Sequence, residues 1–103
     1  MKVKKVSINE LEKLAPLYGK ITPALTSERR EKIEDRIIDI FVIEEHNEFL
    51  AEITVVYEYT THANFTIPNQ RIYFEALRVH PKHQNKGLAQ MLMKKVIENL
   101  YYV

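Results

Sequence analysis

The sequence predicts an α+β domain, an α/β three-layer arrangement in which helices flank a mixed, mostly antiparallel sheet. Two patterns predict it. Apolar residues recur at helical spacing near both ends of the chain, while alternating and β-branched segments fill residues 40 to 79 between them. The resulting order is β-α-α-β-β-β-α, local hairpins and helices that must pack on one sheet. Size is the third constraint: 103 residues, 46% of them hydrophobic and 28% charged, suit one soluble domain over 1–103. Such a chain buries roughly 65% of the surface its unfolded form exposes, and no second domain fits.

Residues 2 to 6, KVKKV, read as a short strand. Ser7 followed by Glu10 is a capping box, so a helix starts there, with Leu11, Leu14, Ala15 and Tyr18 at helical spacing. Pro16 removes a hydrogen bond and kinks or ends the element near Tyr18-Gly19. Ser27 or Thr26 can cap a second helix, SERREKIEDRI, whose apolar positions Ile33 and Ile37 sit on a charged surface. The following IIDIFVIEE is dominated by β-branched residues, which places the switch from helix to strand near Asp39. His46-Asn47-Glu48 turns the chain. FLAEITVVYEYT then carries Phe49, Ala51, Ile53, Val55, Tyr57 and Tyr59 at period two, the pattern of a half-buried antiparallel strand, so that residues 40 to 59 make a hairpin. THANFTIPNQ is a polar stretch of about ten residues, either a binding loop or a plain hairpin tip. RIYFEALRV, residues 71 to 79, is the last strand. A helix with Leu88, Leu92, Val96 and Leu100 along one face closes the sequence.

Composition excludes several functions. Fifteen Lys and Arg against fourteen Asp and Glu give a net charge of +1, without the basic stripe of a nucleic-acid binder. The tyrosines at 57, 59, 73, 101 and 102 have no basic groove beside them, so core or interface roles are expected instead of base stacking. Cysteine is absent, which removes disulfides, thiolate metal sites and thiol nucleophiles. The N-terminus lacks the apolar stretch of a signal peptide, and no run of 18 apolar residues occurs, so a cytoplasmic protein with no membrane partner is expected. His80 and His83 lie three apart around Pro81 with no third ligand nearby, and no metal is predicted.

The chemistry concentrates in "VHPKHQNKGLAQML", residues 79 to 92, a strand end, a polar elbow with one glycine and a helix start. The first amides of a helix have no intrahelical partner and point outward at the positive end of its dipole, so this junction suits an anion. Gly87 removes a side chain where a ligand approaches the backbone, Ala89 is small, and Lys86 adds a mobile cation. Read by itself, one glycine before a helix also fits a tight turn. The phosphate-loop pattern GxxxxGK[ST] and the dinucleotide pattern GxGxxG are both absent.

The segment IYFEALRVHPKHQNKGLAQML resembles motif A of the GNAT superfamily of N-acetyltransferases, in which a strand ending L-x-V-x-P is followed by [QR]-x-x-G-x-[GA] and a helix. Here those positions are Leu77, Val79, Pro81, Gln84, Gly87 and Ala89. The upstream order of strand, two helices and hairpin is similar to the same family. The resemblance implies that Gln84, Asn85, Lys86, Gly87, Leu88 and Ala89 bind the diphosphate of acetyl-CoA, the co-substrate, and that Leu77, Arg78 and Val79 offer backbone groups to its pantetheine arm. It implies direct acetyl transfer to a primary amine whose identity the chain does not reveal, with the oxyanion met by a strand amide, Val79 first. Loops 19 to 26 and 60 to 70 would shape the acceptor site. The alternative is a catalytically weak or inactive coenzyme A-binding or dimerisation module.

A lysine-like amine with a pKa of about 10.4 costs roughly 4.6 kcal/mol to deprotonate at pH 7, so a base is useful. Strict alternation along residues 71 to 79 places Tyr73, Glu75, Leu77 and Val79 on one face. Glu75 would then sit among apolar neighbours, and desolvation would tune it as a general base, the role the resemblance implies for a carboxylate here. The alternatives are an ion pair with Arg71 or Arg78, or simple exposure at a sheet edge. Family members continue with further strands that pair beside this one. Without them the strand is an open apolar edge, and a homodimer, or a strand supplied by a partner, is expected.

Overall fold

The computed structural model describes residues 1–19, 23–60 and 69–101. In chain order the elements are β1 (Lys2–Lys5), a 3-10 segment over Ile8–Leu14 that runs into α1 (Ala15–Tyr18), α2 (Pro23–Glu34), β2 (Ile38–Glu45), β3 (Glu48–Thr60), β4 (Asn69–Val79), a 3-10 turn over Pro81–His83, and α3 (Leu88–Tyr101). The expected β-α-α-β-β-β-α order is observed. The sheet has the order β1-β2-β3-β4, and all three pairings are antiparallel.

Local chemistry explains most boundaries. Glu10 Oε1 accepts from the Ser7 amide at 3.1 Å and from its hydroxyl at 3.0 Å, anchoring the first helical turn. Pro16 stands at the start of α1, and Gly19 at φ 75° ends it. The second helix starts earlier than its Ser27 cap suggests, because Pro23 suits a first helical position. It also stops earlier: Arg36 at φ 59° breaks the turn, leaving Ile37 exposed outside the helix while Ile33 packs on the core. The β2–β3 turn is tight. His46 and Asn47, at φ 50° and 65°, form a two-residue turn whose twist matches the strands it joins.

The sheet is covered on both faces. On one, Ile38, Ile40, Val42 and Val56 pack against Leu11, Leu14 and Leu17 below α1 and α2. On the other, Phe41, Ile43, Ile53 and Val55 pack against Leu88, Leu92 and Val96 of α3. The side chain of Leu100 lies outside the described residues. Leu92 and Val96 are fully buried, and burial of such side chains contributes about 1.5–3 kcal/mol each. This double covering corrects the half-buried reading of β3. Every residue from Phe49 to Val56 is buried, including the polar Glu52 and Thr54.

A surface network ties β1 to the first helical segment and β2. Lys4 bonds Glu10 and lies 3.3 Å from Glu44, which Lys13 also contacts at 3.1 Å. The hydrogen bond from Lys4 holds the Glu10 carboxyl down at about 2. Because the folded value is depressed, this contribution is present above the unfolded value near 4.5 and lost as pH falls from there toward 2. Glu10→Gln is therefore expected to lower the thermal midpoint by a few degrees at pH 7 and to flatten its decline between those pH values. Melting curves across the acid range check this; an unchanged acid slope would count against the network.

Candidate functional site

Strand β4 is the sheet edge, and it is not regular. Thr54 faces Glu75 and Glu52 faces Arg78, so Ala76 and Leu77 together oppose Ile53. Ala76 at φ 57° is the extra residue of a β-bulge. The bulge reverses the side-chain alternation and corrects the face assignment made from strict period two. Glu75 lies opposite Thr54 on the α2 face, where it lines a groove of about 70 Å³ with Arg29, Lys32 and Thr54. Leu77 and Val79 turn to the α3 face. Glu75 is exposed, so the expected apolar surroundings and their desolvation are not found. The edge-exposure alternative is the one observed. Arg78 pairs with Glu52 instead, and the side chain of Arg71 lies outside the described residues.

On the α3 face a cleft of about 630 Å³ is lined by Leu77, Val79, His83, Gln84, Asn85, Gly87, Leu88, Ala89 and Gln90. The structure thus brings together seven of the nine residues expected to hold a coenzyme. The first hydrogen bond of α3 runs from the Met91 amide to the Gly87 carbonyl at 3.1 Å, which leaves the amides of Leu88, Ala89 and Gln90 without helical partners at the cleft. Gly87 has φ 74°, a conformation that disfavours a side chain, and the space where a Cβ would project is open. Asn85, at φ 64°, completes the sharp elbow. Lys86 is exposed with its Nζ 3.4 Å from His83 Nδ1, outside the cleft lining. Arg78 takes no part in the lining either, since its side chain lies on the opposite face.

The ladder also orients the backbone of β4. The His80 amide donates to the Leu50 carbonyl at 2.8 Å, so Val79, opposite Ala51, occupies a non-hydrogen-bonded pair and turns its own N–H and C=O to the open edge. By the same alternation the backbone groups of Arg78 face β3. His80 and His83 have local roles. His80 Nδ1 accepts from the Lys82 amide at 3.1 Å, and the two rings meet edge to face at 5.5 Å. Among the described residues no group of three or more acidic or imidazole side chains is placed to hold a metal.

The sequence reading missed Glu52. Its carboxylate is fully buried under α1 and α2, and Oε1 accepts from Arg78 Nη1 at 2.8 Å. Burial raises its pKa, opposed by the Tyr18 hydroxyl and by Arg78 and Arg29. Burial likewise pushes the Tyr18 hydroxyl well above its usual range, and the neighbouring Glu52 adds to this. The hydroxyl lies close enough to favour the carboxylate form. Even so, Glu52 Oε2, Tyr18 Oη and Arg29 Nε lack a hydrogen bond of good geometry among the described residues. The signal for Glu52 was one acid inside FLAEITVV, an otherwise almost unbroken apolar run.

Comparison with known proteins identifies this arrangement. The model of the acetyltransferase (GNAT) family matches residues 7–100, and the chain belongs to that family. No curated protein matches it by sequence. Among solved structures it is similar to a mutant of the BH1408 protein from Bacillus halodurans, with 14% identity, a TM-score of 0.76 and coverage of 100% of this chain and 78% of that one. A predicted acetyltransferase from Clostridium acetobutylicum, solved with acetyl-CoA, matches with 12% identity, a TM-score of 0.72 and coverage of 95% and 71%. A GNAT family acetyltransferase from Staphylococcus aureus matches with 13% identity, a TM-score of 0.72 and coverage of 95% and 76%. The fold is that of the family, and the chain spans 71% to 78% of the length of these structures. Among the described residues no helix is long and apolar enough to cross a membrane.

Proposed function

We propose that the chain is an N-acetyltransferase that moves acetyl from acetyl-CoA to a primary amine by direct attack. The observation that carries this reading is the bulge at Ala76, which turns Leu77 and Val79 toward the α3 cleft and Glu75 toward the α2 groove at one stretch of open edge. Coenzyme and amine then approach from opposite faces and meet at β4. The α3 amides and the elbow Gln84–Ala89 take the diphosphate, with the helix dipole supplying part of the attraction. The outward direction of the Val79 amide supports a role for it in donating to the thioester oxygen as it becomes an oxyanion. The amine nitrogen bonds to the carbonyl carbon, the carbon–sulfur bond breaks, and the thiolate leaves and is protonated. The proton lost by the amine passes to Glu75, directly or through water, because Glu75 is the carboxylate of the groove that stands on β4 beside the bulge, whereas Glu28 is held by Lys32. The acetyl-CoA held by the Clostridium acetobutylicum protein supports the choice of co-substrate.

Thiol release from acetyl-CoA over a panel of amines tests the reading. Binding of acetyl-CoA with no turnover for any acceptor would favour a coenzyme-binding module instead. Glu75→Gln is expected to lower kcat/KM by about 10²-fold while leaving the affinity for acetyl-CoA unchanged. A kcat/KM within about threefold of wild type would strip Glu75 of the role.

The edge itself supports a dimer. Ile72, Tyr73, Phe74 and Leu77 on β4 are 36% to 48% exposed, and a strand with apolar side chains on both faces whose outer edge is unpaired among the described residues is a template for a second copy. Phe74→Lys is expected to shift sedimentation from dimer to monomer. A wild-type monomer at high micromolar concentration would overturn the assignment.

A further inference from the structure

Two guanidinium groups share one tyrosine ring beneath α1 and α2. Arg78 from β4 lies 4.2 Å from the centroid of Tyr18, and Arg29 from α2 lies 5.3 Å from it. Among the described residues Glu52 is the one carboxylate bonded to this pair, and it is engaged by Arg78. Arg29 spends Nη1 on a neutral acceptor, Thr54 Oγ1, at 3.0 Å, and its Nε is buried without a hydrogen bond. Neither acid lining the groove beside Arg29 is bonded to it among the described residues. Glu28 is held by Lys32 at 3.0 Å, and Glu75, in the same groove as Arg29, makes no ion pair among the described residues. Two cations against one bonded anion leave a guanidinium charge unpaired at the rim of the sheet.

Arg78 is also built to present that charge. Its side chain is 37% exposed at the sheet rim, and one Nη1 bond to Glu52 is the hydrogen bond it makes among the described residues, out of five N–H donors. Stacking on Tyr18 and the bond to a fully buried carboxylate fix the plane of the guanidinium before any ligand arrives. A planar fork held in this way matches a carboxylate or a phosphate, and little rotamer entropy is lost when it binds. Glu52 thus holds Arg78 through Oε1, with the Tyr18 hydroxyl also beside its carboxylate.

We infer that Arg78 and Arg29 bind an anionic group on the acceptor, so that the preferred substrate is a primary amine bearing a carboxylate or a phosphate. The inference rests on the acetyl-transfer reading above and adds the substrate class. The amine end lies toward Glu75 and the bulge, and the anionic end toward the two guanidiniums. Glu52 and Tyr18 are positioning residues that act through Arg78.

The test compares four small amines, ethanolamine, β-alanine, O-phosphoethanolamine and 1,3-diaminopropane, by KM in the thiol-release assay and by calorimetric Kd on the coenzyme A complex. At least one of the two anionic amines is expected to bind about tenfold or more tightly than ethanolamine, and whichever leads distinguishes a carboxylate from a phosphate site. This preference should collapse in Arg78→Met, survive in part in Arg78→Lys, and weaken as salt is raised. The double variant Glu52→Gln/Arg78→Met removes both charges together, in case the single change does not fold. Equal affinity for ethanolamine and both anionic amines, a preference for the diamine, or an anion preference that persists without Arg78 would overturn the inference while leaving acetyl transfer intact. If no amine is acetylated, acetyl transfer fails as a reading, and the calorimetric comparison alone decides the anion site.

Discussion

Glu52→Ala is expected to destabilise the fold by about 1–3 kcal/mol, because the charge-assisted hydrogen bond from Arg78 is lost while that guanidinium, 37% exposed, keeps part of its hydration. At about 4–8 °C per kcal/mol for a domain near this size, the thermal midpoint should fall by roughly 4 °C or more. The effect has a specific physical source. Glu52 is fully buried on the central strand, accepts from Arg78 at 2.8 Å, and is the carboxylate that offsets two guanidiniums. Its loss leaves Arg78 and Arg29 beside Tyr18 with no bonded counter-charge among the described residues. A double variant in which Glu52→Leu accompanies Arg78→Met should recover most of the loss, since replacing both members by apolar groups removes the cost of burying the charges. A midpoint within about 2 °C of wild type for Glu52→Ala would mean that water reaches the carboxylate and that the cluster is not buried in solution.

Gly87→Val is expected to weaken coenzyme A binding about tenfold or more, which corresponds to roughly 1.4 kcal/mol or above. The fold should pay less. A Cβ at position 87 meets no atom within 4 Å, so the cost in the free protein comes from the positive φ of 74° and should be about 1–2 kcal/mol for a non-glycine residue. The open space over the glycine is also where a diphosphate would approach the amides of Leu88 and Ala89, and a branched side chain there obstructs that approach. Calorimetry with coenzyme A, beside a thermal melt of the free variant, separates the two effects. Full affinity in a folded Gly87→Val protein would remove the elbow as the diphosphate site.

The order of elements, the turn at His46-Asn47 and the elbow at Gln84–Ala89 were legible in the sequence because each depends on local chemistry: a capping box, two residues able to adopt positive φ, and a glycine before an amphipathic helix. The burial of Glu52 was not. Period two marks which side chains share a face, but it does not say whether the other face meets water, and β3 is covered by α1 and α2 on one side and α3 on the other. Ala76 was equally invisible. Alanine carries no preference for φ 57°, so nothing in RIYFEALRV announced the extra residue. Strict alternation therefore put Glu75 beside Leu77 and Val79, and the whole desolvation argument for Glu75 followed from that one misplaced register. Tyr18, Arg29 and Arg78 are far apart in the chain and meet by tertiary packing, which spacing alone does not encode.

Because the strand order in the sheet repeats the order in the chain, each ladder forms between consecutive strands. The β2–β3 hairpin closes through a two-residue turn, at the smallest loop-closure entropy available to antiparallel partners. The β1–β2 ladder is the opposite case: Lys2 and Lys5 pair with Glu44 and Phe41 across both N-terminal helices, so it closes the longest loop in the sheet and carries the largest entropic cost.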